Sequence, residues 1–175
     1  MAARPAAPPA PAPALATTAA AKPAAADARS GIFGMFSGFS AAPRMDHLGY
    51  DRQTAIYDIS ARTVYLPDGT RLEAHSGLGQ ALDNVRYVSE RAIGPTPPHL
   101  YELRMREQLF HGVQAIRLNP VGDGALYGRD GFLAHPYMLG ENGDSNGCVS
   151  FKDYNAFLRA YQNGQINKLA VVARI

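Results

Sequence analysis

From Tyr50 to Ile175 glycine and proline cut the chain into short apolar runs, and one window keeps clear helical spacing. That window is "FKDYNAFLRAYQNGQ". Phe151, Tyr154, Phe157, Leu158 and Tyr161 fall on one face of a 3.6-residue period. The spacing predicts a helix over Lys152–Asn163, stopped at Asn163-Gly164. The other runs read as strands. "TAIYDISARTVYLPDGTRLEAHSG" is rich in strand-favouring residues, and its Pro67-Asp68-Gly69 is a turn with a mechanism. Proline presets φ and glycine accepts positive φ, so Arg62–Leu66 and Thr70–Ala74 should pair as a hairpin. "LYELRMR", "VQAIRLNP", Phe132–His135 and "KLAVVARI" are further strands, and Leu82–Val88 is a short helical turn. "GPTPPHL" is extended, because each proline disfavours helix at the residue before it. The expectation is a mainly β domain with a small helical part, spanning residues 50–175.

Residues 1–49 read differently. The first thirty are nearly all Ala, Pro and Thr, with Leu15 as the one large aliphatic residue besides the initiator Met1. Such a segment cannot bury enough surface to offset chain entropy and is expected to be a disordered, semi-extended tether. "GIFGMFSGFSAAPRM" follows as a flexible Gly/Phe segment. A formal net charge of +2, with no Lys/Arg-rich run, gives no footprint for nucleic acid. No apolar stretch is long enough to span a membrane. Prolines interrupt the place where the apolar core of a signal peptide would lie, so no export leader is recognisable.

The single cysteine, Cys148, lies in "GENGDSNGCVSF". One thiol excludes an internal disulfide and a zinc site built on several thiolates, so neither metal nor cofactor is expected. A lone cysteine is by default an inert, buried side chain. Its neighbours argue otherwise: Ser145, Asn146 and Gly147 are poor core residues, and Gly140, Gly143 and Gly147 permit tight turns. A nucleophilic thiol needs a base. Of five histidines, His135 ends a short apolar strand and precedes Cys148 across a Gly-rich loop that can fold back. The Gly147 and Cys148 amides could face a developing oxyanion. No histidine follows Cys148, which argues against papain-like hydrolases, where the cysteine comes first.

Histidine, a glycine-rich gap and "SNGCVSF" resemble the active-site signature of YkuD-type L,D-transpeptidases: His, a variable stretch, then Ser-His-Gly-Cys followed by Ile/Val and Arg. "IGPTPPHLYEL" is similar to that family's Thr-Pro-x-Gly-x-Tyr/Phe segment, with His99 in place of its Gly. "AHSGLG" and "GRDGFLAHP" look closer to the L,D-transpeptidase-like effectors of bacterial type VI secretion. Asn146 replaces the histidine before Gly-Cys, and Ser150 stands where the signature has arginine. Arg129 and Lys152 are candidate substitutes for a carboxylate contact, or else solvated surface cations.

The resemblance implies an L,D-transpeptidase-like β-sandwich with a short helix packed behind the Cys loop. It implies that Cys148 attacks the bond to the terminal D-alanine of a peptidoglycan tetrapeptide stem, with His135 as base. Gly147, Ser145 and Asn146 would serve the oxyanion or orient the imidazole, a task open to Ser145 or a backbone carbonyl. Ser76, Gly77 and Tyr137 would line the cleft. The thioester would be resolved by an amine (L,D-transpeptidation) or by water (L,D-carboxypeptidation). As an effector the enzyme would act in the periplasm of a target bacterium, with an immunity protein and secretion components as partners. The rival readings are a housekeeping cell-wall crosslinker and a non-catalytic wall-binding domain in which Cys148 is buried.

Overall fold

The computed structural model describes residues 49–175. The expectations for the tether and the Gly/Phe segment fall on residues 1–48, outside the described residues. The strands are β1 Thr54–Asp58, β2 Thr63–Tyr65, β3 Arg71–Ser76, β4 His99–Met105, β5 Ile116–Pro120, β6 Leu133–Pro136, β7 Val149–Phe151 and β8 Lys168–Val172. One helix, α1 Tyr154–Gln162, lies between β7 and β8, and two single-turn 3₁₀ helices occupy Gly79–Ala81 and Val85–Tyr87.

Pairing runs continuously in the order β1-β2-β3-β7-β6-β5-β4-β8 and closes on β1. The mainly β expectation holds, but the strands form one closed, barrel-like sheet where two stacked sheets were expected. The closing pair is the parallel ladder of β1 and β8, with Ile56 opposite Ala170. That ladder joins the first and last strands of the domain, a long-range pairing that local sequence does not announce. The second parallel pair, β6 and β7, carries the site described below.

Local chemistry explains the elements. The β2–β3 hairpin forms in the expected register, Val64 opposite Leu72. Gly69 turns it at φ 89°, and Asp68 Oδ1 accepts from the Thr70 amide at 2.8 Å. Helix α1 starts at Asp153, whose carboxylate accepts from the Ala156 amide at 3.1 Å. It ends at Gly164, φ 71°, with the Gln165 amide donating to Ala160 O at 2.9 Å. Tyr154, Phe157 and Ala160 are buried, and Phe157 stacks on Phe151 of β7 with ring centroids 4.4 Å apart. Phe151 therefore belongs to the strand, and the helix begins after it. The aromatic stripe is core: it joins Ala55, Tyr57, Leu169 and Val171 inside the closed sheet.

Candidate active site

Strand alternation decides which side chains leave the core. In the β6–β7 pair, Ala134 faces Val149 and His135 faces Ser150. Ala134 and Val149 belong to the hydrophobic core. Alternation then puts His135 and Ser150 on the outer face. Cys148 sits in the bend just before β7 and is half-buried. His135 and Cys148 line one pocket of about 90 Å³, together with Phe110, His111, Met138 and Leu139.

His135 is 4 % exposed. Its Nδ1 lies 2.7 Å from Pro136 O. A carbonyl only accepts, so Nδ1 carries the proton and Nε2 is left with its lone pair. Of the two orienters weighed from the sequence, the backbone carbonyl takes this position. Phe110 lies over the ring at a centroid distance of 5.4 Å. Burial pulls the His135 pKa below its ordinary value, so the imidazole is neutral at neutral pH and its free nitrogen can accept a proton. Burial pushes the Cys148 thiol up, opposed by the Leu133 backbone and the Arg129 charge. The resting pair is thus a neutral thiol beside a neutral imidazole.

The loop bearing Cys148 is held by hydroxyls. Ser145 is 1 % exposed; its Oγ donates to Cys148 O at 2.6 Å and accepts from the Gly77 amide at 3.2 Å. The Ser145 amide donates to Gly77 O at 2.8 Å. Ser145 thus braces the loop from behind, and Gly77 is its partner; Gly77 is buried and does not line the pocket with Cys148. Ser76 is fully buried, accepts from the Thr96 amide at 2.8 Å and lies 3.2 Å from Thr96 Oγ1. It is an internal support, not a cleft residue. Thr96 Oγ1 in turn donates to Gly147 O at 2.6 Å. Thr96 carries as much of this loop as any residue the sequence singled out, and only its place in the Thr-Pro segment hinted at it.

Asn146 lines the pocket, and its amide donates to Ala92 O at 2.8 Å. Gly147 has φ 111°, where a side chain is strained, and a Cβ there would meet Arg129 Nη2 at 2.2 Å. Ser150, at the place of the signature's arginine, shares its hydroxyl proton between the carbonyls of Gly143 and His75. Arg129 is not a solvated cation: it is 6 % exposed and bound to backbone carbonyls. Tyr137 and Lys152 point elsewhere. Tyr137 Oη donates to Glu73 at 3.1 Å, and Lys152 pairs with Glu73 at 3.0 Å. Lys152 lines a separate groove with Asp153 and Leu158. The sequence missed Phe110, His111, Met138 and Leu139, which reach the pocket from loops with no motif of their own. His111, at φ 48°, is the one with a strained backbone.

A family model for the Tlde1 domain matches residues 70–175, more than half of the chain and the whole of this site. The chain belongs to the Tlde1 family. These are the L,D-transpeptidase effectors of type VI secretion. No curated protein matches the chain. The Tlde1 match begins at the second arm of the β2–β3 hairpin and so includes β6 with His135 and the bend with Cys148.

Proposed function

We propose that this Tlde1 domain is a cysteine-dependent L,D-carboxypeptidase or L,D-transpeptidase acting on peptidoglycan tetrapeptide stems. The reading rests on one observation: His135 of β6 and Cys148, in the bend before β7, line one pocket, with the imidazole held by Pro136 O. His135 Nε2 takes the thiol proton as Cys148 Sγ attacks the carbonyl carbon before the terminal D-alanine. The oxyanion forms beside the amides of Gly147 and Cys148. The Gly147 amide has a long contact to Ser145 Oγ, 3.4 Å, which a charged acceptor would displace. Loss of one such donor costs about 3 kcal/mol of transition-state stabilisation. The intermediate collapses as the C–N bond breaks, and His135 returns its proton to the leaving amine. The thioester is then cleaved by water or by an incoming amine, deprotonated by the same Nε2.

As a type VI effector the enzyme would act in the periplasm of a neighbouring bacterium, trimming or capping stems so that crosslinking fails. An immunity protein covering the pocket would protect the producer. The test is mass spectrometry of muropeptides treated with wild type and Cys148→Ala. Loss of terminal D-alanine, or its exchange for an added D-amino acid, should occur with wild type only. Equal processing by Cys148→Ala would remove the thiol from the mechanism.

A further inference from the structure

Arg129 is a buried cation with no buried anion. Its guanidinium donates to Val88 O at 2.6 Å, Pro95 O at 2.7 Å and Gly94 O at 2.8 Å. Phe132 covers it at 5.2 Å from the ring centroid. Among the described residues, no ion pair includes Arg129. Asp130, next in the chain, is exposed and makes none with it. Taking a guanidinium out of water is costly, and carbonyl dipoles offset only part of that cost. Such a placement is best explained by an anion that exists for part of the reaction cycle.

The groups beside Arg129 say which anion. The guanidinium packs directly under Gly147, where even a methyl would clash. Arg129, Gly147 and Cys148 share a second pocket of about 140 Å³, which His135 does not line. The charged and titratable groups facing Cys148 across its two pockets are Arg91, Arg129, Asp130, His111 and His135. Arg129 alone among the cations is buried and rigidly held. In the proposed reaction, the Cys148 sulfur and the attacked carbonyl oxygen are what become negative there.

We propose that Arg129 is the positioning residue of the nucleophile: a fixed positive charge beneath the Gly147–Cys148 turn that stabilises the anionic sulfur and the oxyanion. It rests on the reading of Cys148 as nucleophile. It also supplies a cation in a site whose signature position for arginine holds Ser150. The carbonyl bonds hold the guanidinium still, so little reorganisation is needed as charge develops. They tie Arg129 to the 88–95 segment, which Asn146, donating to Ala92 O, ties to the Cys loop.

The experiment measures alkylation of Cys148 by iodoacetamide, from pH 5 to 10, in wild type, Arg129→Lys and Arg129→Gln. One neighbouring charge moves a thiol by about one pKa unit or more. Arg129→Gln should therefore alkylate about tenfold more slowly at neutral pH and converge with wild type at high pH. Arg129→Lys keeps the charge but not the carbonyl fork, and should stay within about threefold of wild type. An unchanged profile in the Gln variant overturns the proposal. So does equal slowing in both variants, which would make Arg129 only a brace. A second measurement uses wild type alone, in case the Gln variant fails to fold. The rate ratio of iodoacetate to iodoacetamide should exceed that of glutathione about fivefold, since a fixed cation favours the anionic reagent. A ratio equal to or below that of glutathione overturns the proposal. A native thiol inert to both reagents overturns the nucleophile reading and this proposal with it; a reactive thiol indifferent to Arg129 overturns this proposal alone.

Discussion

Thr96→Val separates the support of the site from its chemistry. Valine keeps the shape of threonine and removes one hydroxyl. In the structure that hydroxyl donates to Gly147 O at 2.6 Å and lies 3.2 Å from Ser76 Oγ. The donor and acceptor directions fix a chain: Ser76 O–H to Thr96 Oγ1, then Thr96 O–H to Gly147 O. Ser76 and Thr96 are fully buried and Gly147 is buried, so water cannot replace the lost partner. An unsatisfied buried group costs about 1–3 kcal/mol, and the substitution leaves two. A loss of about 2–6 kcal/mol follows, or roughly 10–20 °C in Tm for a domain of this size. Freed of its anchor, the Gly147–Cys148 peptide plane can rotate and mis-aim both the thiol and the oxyanion amides. Misplacement on the ångström scale costs about a hundredfold in rate. The assay pairs thermal unfolding with D-alanine release, with Thr96→Ser as the control that restores the hydroxyl. The Val variant should lose both stability and kcat with KM little changed, and the Ser variant should lie near wild type. A Val variant that melts and turns over like wild type would refute the claim that this hydroxyl holds the loop.

Two further predictions concern protonation. Burial holds the His135 pKa below its ordinary value near 6.5, so the acid limb of kcat/KM should have its midpoint below that value; a midpoint above it would show that the titrating base is another group. His75 has the opposite shift: Asp83, with Oδ2 2.6 Å from His75 Nδ1, raises its pKa in the folded protein. That contribution to stability is full below the unfolded value near 6.5 and is lost as pH rises through the higher folded value. Thermal unfolding should therefore show wild type weakening across that window, and Asp83→Asn should respond less to pH; parallel slopes would contradict the pairing.

Local signals were legible in the sequence. Pro67-Asp68-Gly69 announced its hairpin and Asn163-Gly164 its helix stop, and the Gly-rich loop between His135 and Cys148 does fold back so that both line one pocket. Signals made by distant partners were not. The β1–β8 ladder that closes the sheet joins the two ends of the domain, and nothing in "TAIYD" or "KLAVV" specifies it. Ser76, Gly77 and Ser145 read as cleft or orienting residues because small polar residues on loops look alike. Only the fold shows their polar atoms spent on one another. For Arg129 the sequence left open a carboxylate contact or a solvated surface cation, because burial of a guanidinium depends on carbonyls from residues 88–95 that sequence spacing cannot place. Tyr137 directly follows β6 and Lys152 directly follows β7, and these parallel strands carry both side chains to Glu73.

The proposed mechanism carries a stem peptide on the Cys148 sulfur for part of the cycle. Intact-protein mass spectrometry of rapidly quenched enzyme with a tetrapeptide stem tests it most directly. The expected result is a tripeptidyl adduct, lacking the terminal D-alanine and mapping to the peptide containing Cys148. It should be absent in Cys148→Ala and strongly reduced in His135→Ala. D-alanine release of wild-type efficiency by Cys148→Ala, or an adduct on any other residue, would contradict it.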